Sequence, residues 1–165
     1  MMAENLVTGL SFTAAFGAAL VGGVFFAFSN FIMAGLGRLS PEQGVTAMNA
    51  INVTVINPAF MTALFGTGLL CLVAGALSPG SLDTLDGKLI LAAALVYILG
   101  CDVVTMIFNV PLNNALTAST AGTPETATLW ARYLNEWTMW NSIRTAACFL
   151  SAILFVAAGA LRIAA

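Results

Sequence analysis

Four apolar runs, each long enough to cross a bilayer and nearly free of charge, decide what this chain can become. A hydrocarbon core needs about 20 apolar residues per helix. The runs extend from about Leu6 to Leu36, Phe60 to Leu77, Leu89 to Val110 and Trp137 to Leu161. A water-soluble surface is out of reach: only 7% of the 165 residues are charged, against about 25% in ordinary soluble domains. The expected fold class is therefore all-α, an integral membrane four-helix bundle, and residues 1–165 read as a single transmembrane domain. An even number of spans puts both termini on one side.

The same chemistry excludes several functions. A net charge of −2 with five basic residues leaves no stripe to neutralise phosphates, so no nucleic-acid partner is expected. There is no histidine, and Cys71, Cys101 and Cys148 stand alone inside apolar runs. Without CxxC or Cys/His spacing, no metal site is expected. The three thiols read as small packing residues. The first run is too long for a signal-peptide core, and no Lys or Arg precedes Arg38, so it reads as a retained span.

Helix starts are legible from their caps. Ser40-Pro41-Glu42-Gln43 offers a capping serine, proline at the first helical position and a glutamine to close the box. Thr123-Pro124-Glu125 repeats the signal, and Asp83 to Asp86 caps the third helix. A continuous helix from Pro41 to Leu77 would be about 55 Å long, as would one from Pro124 to Leu161, against a core of about 30 Å. Helices two and four are thus expected to extend beyond the bilayer on one side. Asn57-Pro58 is expected to bend the second helix, and Pro111 the third. The basic residues divide evenly between the two sides, so orientation stays open.

The polar residues inside these runs carry the functional signal. Asp102, Thr105, Asn109 and Asn113 recur at spacings of three and four, within an arc of about 80° on one helix face. Trp137, Trp140, Asn141 and Arg144 do the same on the fourth helix. If the intervening connection turns near Thr117 to Thr123, the two faces meet, and an Asp102–Arg144 pair satisfies two charges that are costly alone at membrane depth. Ser29 and Asn30, with Phe25 and Phe28 nearby, and Asn49, Asn52 and Asn57 lie toward the same end. Blander roles stand beside these. Asn and Thr serve as interhelical glue, tryptophans as an interfacial belt, and Arg144 could snorkel outward.

The string Asn109-Val-Pro-Leu-Asn113-Asn114-Ala-Leu116, followed by Trp130, Tyr133, Trp137, Trp140-Asn141 and Arg144, closes this pattern. With Gly23-Val-Phe-Phe-Ala-Phe in the first run, the chain resembles the anthrone-oxygenase-like (DUF1772) family of small membrane proteins. The resemblance covers nearly the whole chain. It implies oxidation of a polyketide anthrone to an anthraquinone by dioxygen, with no metal, flavin or other cofactor. It singles out Asn109, Asn113, Trp137, Trp140, Asn141 and Arg144, and a bacterial cytoplasmic membrane as the setting.

Such chemistry needs an apolar slot, a base, and donors for a developing oxyanion. The expected catalytic residues are Asp102, as base, and Arg144, as oxyanion donor. The expected substrate-binding residues are Asn30, Asn109, Asn113, Trp137, Trp140 and Asn141. The expected partners are the lipid bilayer and a lipophilic aromatic small molecule, and a homo-oligomer is compatible with the sequence. Two other readings stay open: a non-catalytic lipid- or quinone-binding protein, and a structural subunit of a membrane complex.

Overall fold

The computed structural model describes residues 2–78, 83–120 and 122–164. Among these, five helices account for nearly everything: α1 (Glu4–Leu36), α2 (Pro41–Thr54), α3 (Pro58–Ala76), α4 (Leu85–Ala118) and α5 (Pro124–Ala164). The helices α1, α3, α4 and α5 are long and apolar enough to cross a membrane. The chain is an all-α integral membrane protein. The Ser78-Pro79-Gly80 sequence that follows the second apolar run is a stop signal for a helix, and Pro79 and Gly80 lie outside the described residues.

Caps set the boundaries. The Ser40 side chain accepts from the Gln43 backbone N–H, and the Gln43 side chain accepts in turn from the Ser40 N–H, a reciprocal box. Thr84 accepts from the Gly87 N–H and Thr123 from the Thr126 N–H.

The continuous second helix expected from Pro41 to Leu77 is not found; it is broken into α2 and α3. The cause is local. A residue before proline is pushed out of the helical region by the pyrrolidine ring, and Asn57 is extended, at φ −127° and ψ 157°. Its side chain then works in both directions. Oδ1 accepts from the Phe60 N–H at 3.0 Å, and Nδ2 donates to the Thr54 carbonyl at 3.0 Å. One asparagine caps the helix ahead and ties down the helix behind.

Pro111 does not end α4. Two wide turns with i→i+5 bonding precede it, at Ile98–Val103 and Thr105–Asn109. Similar wide turns occur at Phe28–Ile32 in α1 and Thr62–Gly66 in α3. Each inserts a residue into the helical repeat and rotates the residues downstream of it by about 100°.

Two apolar cores result. The first joins Val7 to Phe25 of α1, Leu64 to Ala74 of α3, Ile90 to Cys101 of α4 and Cys148 to Ala158 of α5. Alanine dominates it, as expected where helices associate in lipid by close backbone approach rather than by escaping water. The three cysteines are buried and free there. The second core joins Met33, Val45, Met48, Leu112, Leu116, Trp130, Tyr133 and Trp137. Its large side chains resemble the core of a water-soluble domain. The α2–α3 break falls at the boundary between the two.

Candidate functional site

The seam between the two cores holds a connected set of polar side chains, each on a face dictated by its helix. Asn141 is fully buried on α5. Its Nδ2 donates to the Phe25 carbonyl at 2.6 Å and to Ser29 Oγ at 2.7 Å. Its Oδ1 accepts from Arg144 Nη2 at 2.7 Å. Arg144 Nη1 donates to Thr105 Oγ1 at 3.1 Å, and the Thr105 hydroxyl itself donates to the Cys101 carbonyl. The guanidinium lies 4.0 Å above the Phe25 ring and 5.3 Å from that of Trp137. Arg144 is only 4% exposed, so it does not snorkel.

The expected Asp102–Arg144 ion pair is not formed. Arg144 makes its bonds to neutral groups, and among the described residues the ion pairs are Arg132–Glu136 and Arg162–Asp86. The Asp102 carboxylate instead lies against Gly68 of α3, close enough that a Cβ there would collide with Oδ2. Its Oδ1 is buried and has no hydrogen-bond partner. The wide turn at Ile98–Val103 explains the divergence. With the second wide turn at Thr105–Asn109, it breaks the fixed angle per residue that put Asp102 on one face with Thr105, Asn109 and Asn113.

Beyond that turn the expected face is realised. Asn109 Nδ2 donates to the Trp137 carbonyl at 3.1 Å, leaving Oδ1 buried without a partner. Asn113 Oδ1 accepts two bonds of 2.7 Å, from the Tyr133 hydroxyl and from Trp137 Nε1. Trp130, Tyr133 and Trp137 stack along α5 with centroids 5.7 and 5.8 Å apart. Three-and-four spacing on one helix brings such rings into register.

A cavity of about 220 Å³ opens beside this network. Apolar cavities of about 150 Å³ already hold a benzene ring, so this one has room for a larger aromatic body. Phe25, Phe28, Phe60, Leu64 and Met48 form much of its wall, and Trp137, Asn113, Thr105, Asn52 and Arg144 supply its polar atoms. Arg144 Nε is buried without a partner. Asn52 Nδ2 also lacks one within hydrogen-bond geometry, although the amide stands beside the Tyr133 hydroxyl. The polar wall thus offers donors in excess, one of them on a cation with no carboxylate facing it.

The site therefore gathers the expected residues unequally. Arg144, Asn113 and Trp137 line the cavity, while Asn109 and Asn141 stand behind them and hold them. Trp140 lies outside the lining and stacks on Phe108, with centroids 3.6 Å apart and planes 8° off parallel. Asn30 is exposed, and its neighbour Ser29 makes the contact to Asn141. Asp102 does not line the cavity. Asn52, Thr105 and Tyr133 take larger parts than sequence reasoning gave them. The recurring polar spacing that flagged Asn109 and Asn113 includes Thr105, and the Trp130–Tyr133–Trp137 spacing was the available signal for Tyr133. Among the described residues, no group of three or more His, Cys, Asp or Glu is placed to hold a metal ion.

Comparison with known proteins adds one finding. A family model described as anthrone oxygenase matches residues 52–154, more than half of the chain and every polar group lining the cavity. No curated protein and no solved structure matches.

Proposed function

The chain belongs to the anthrone oxygenase family, and from that premise we propose that it oxidises a lipophilic aromatic ketone of the anthrone type inside the seam cavity. One observation carries the reading: the Arg144 guanidinium stands on the wall of an aromatic cavity with neutral partners only and with Nε unused. A buried cation without a counter-charge is costly, and a ligand that becomes an anion in the cavity would relieve it. An anthrone does so when its central CH₂ loses a proton and the charge moves to the ketone oxygen. Arg144 and Asn52 are then the donors for that oxyanion, a preorganised electrostatic arrangement of the kind that dominates much enzymatic catalysis. Phe25, Phe28 and Trp137 hold the flat rings.

The chemistry balances without another reactant. The carbanion adds dioxygen to give a hydroperoxide at the former CH₂ carbon. Loss of the second C–H proton and cleavage of the O–O bond leave a carbonyl and release water. Carbon loses four electrons and dioxygen accepts them. The first proton returns to the peroxide oxygen, so no base is consumed overall. Asp102 lies one helical turn before Thr105, on which Arg144 rests, and does not line the cavity; we assign it a positioning role behind Arg144.

We also read α2 and the first half of α5 as a cap outside the hydrocarbon core. Support comes from the 41 residues of α5, about 60 Å of helix against a core of about 30 Å. Exposed Arg132 and Asn135 along that half, and the large-residue core beneath it, agree.

The test is dioxygen uptake and anthraquinone formation from an anthrone in lipid nanodiscs, against protein-free nanodiscs that report autoxidation. Turnover should fall sharply in Arg144→Gln and Asp102→Asn. Anthrone binding without acceleration would leave a lipophile-binding protein; undiminished turnover in both variants would sink the residue assignments.

A further inference from the structure

The cavity has a buried end and an open end, and the two differ in chemistry. At the buried end stand Arg144, Thr105, Phe25, Leu64 and Trp137, none more than 8% exposed. At the open end stand Ile56, Phe65 and Met106, at 71%, 48% and 56%. All three rim residues are apolar, and each belongs to a stretch where regular helix packing is interrupted. Ile56 sits in the α2–α3 break, Phe65 in the wide turn of α3, and Met106 in the second wide turn of α4.

The helices α3 and α4 pack well further along, through Thr67–Ala76 against Leu85–Tyr97, but Thr62–Gly66 and Thr105–Asn109 make at most marginal contact. A gap between two membrane-crossing helices therefore lies at the rim. Phe65 is about 10 Å below the start of α3 at ~1.5 Å per residue, a depth that reaches hydrocarbon. Outside the rim the surface stays apolar, with Leu69 and Leu72 exposed on α3 and Leu99 and Ile107 on α4.

We infer that the cavity opens sideways into the bilayer between Phe65 and Met106, so that its ligand arrives dissolved in lipid and uncharged. This deepens the proposed function and rests on it for the ligand's identity, but not for the route. An ionised or sugar-conjugated molecule would have to shed its hydration in hydrocarbon to pass this rim. A neutral carbon acid passes and becomes an anion only on reaching Arg144. The substrate class narrows accordingly to free, unconjugated, membrane-partitioned aromatics. Met106 and Phe65 become gate residues that control rate of access rather than affinity.

The test needs no substrate. Val110, on the cavity wall, is replaced by cysteine, and labelling in nanodiscs is followed with N-phenylmaleimide and with a sulfonated maleimide of equal intrinsic reactivity. The unmodified chain, whose three thiols are buried, supplies the background. The lipophilic reagent should react much faster than the charged one. Adding Met106→Trp should slow it by on the order of tenfold, and Phe65→Ala should speed it, as expected for a gate acting on association. Equal rates for both reagents, no labelling by either, or indifference to both rim substitutions would overturn the lateral route. If the route holds while anthrone turnover is absent, the proposed reaction fails and the portal stands.

Discussion

Replacing Arg144 by glutamine separates a charge that acts on a ligand from one that merely ties helices together. Glutamine keeps an amide donor for Asn141 Oδ1 and removes the positive charge. The fold loses one charge-assisted hydrogen bond to Thr105, about 1.5–3 kcal/mol, and the contact over the Phe25 ring, about 0.5–2 kcal/mol. It gains release from burying an unpaired cation, a penalty of several kcal/mol. Stability should hold to within about 2 kcal/mol or rise. An anionic ligand fares differently, because a charge-assisted hydrogen bond is worth about 1.5–3 kcal/mol. At about 1.36 kcal/mol per unit, a phenol bound at this site should ionise roughly 1–2 pH units below its value in the same cavity without the cation. A hydroxyanthraquinone reports this directly, since its phenolate absorbs at longer wavelength than the phenol. Titrated in nanodiscs, the bound dye should ionise roughly 1–2 pH units earlier with the unmodified protein than with Arg144→Gln, the desolvation being common to both. The same titration midpoint in the unmodified protein and in the variant would refute the oxyanion role. A variant that unfolds would mark Arg144 as structural.

Three further outcomes are expected. Gly44→Ala should destabilise by about 1–3 kcal/mol through overpacking, because its Cβ would sit 2.6 Å from Trp130 Cζ2; unfolding in mixed micelles measures it, and an unchanged midpoint would mean that the cap is loosely packed. Gly68→Ala should be harmful alone and largely rescued when combined with Asp102→Ser, since the collision is with the carboxylate; additive effects in the double-mutant cycle would deny the contact. Trp137→Phe removes the indole bond to Asn113 while Tyr133 keeps its own, so the loss should be about 1 kcal/mol, with weaker ring binding read from dye affinity.

The spans and caps were legible because hydropathy and capping chemistry act locally. Ser40 with Gln43, and Thr123, do in the fold what their neighbours in sequence announce. Asn57-Pro58 was legible as a disturbance but not as a break, since apolar residues continue on both sides and only the extended backbone of Asn57 decides between bend and rupture. The Asp102–Arg144 pair failed for a different reason. Counting at a fixed angle per residue assumes an unbroken helical repeat, and α4 departs from it twice. Apolar composition carries no sign of a wide turn, so the face on which Asp102 lands was invisible, while Asn109 and Asn113, separated by regular spacing, landed together. Nor could spacing show that Asn30 points outward while Ser29 turns in. The cavity itself emerges from a broken helix and a gap between its second half and α4, and neither has a signature in the side chains that line it.

The seam between the two cores has a consequence for how such a protein could change its chemistry. Three helices run through it unbroken, and α2 is joined to α3 only through the segment around Asn57. Met48, Ile51 and Val55 form the cavity's roof on or just beyond α2, while the alanine-rich packing below draws on none of them. Remodelling the roof therefore leaves that alanine-rich packing in place. On the proposed reading, a chain built this way exchanges one aromatic ligand for another by redrawing a single short helix, with Arg144 kept in place.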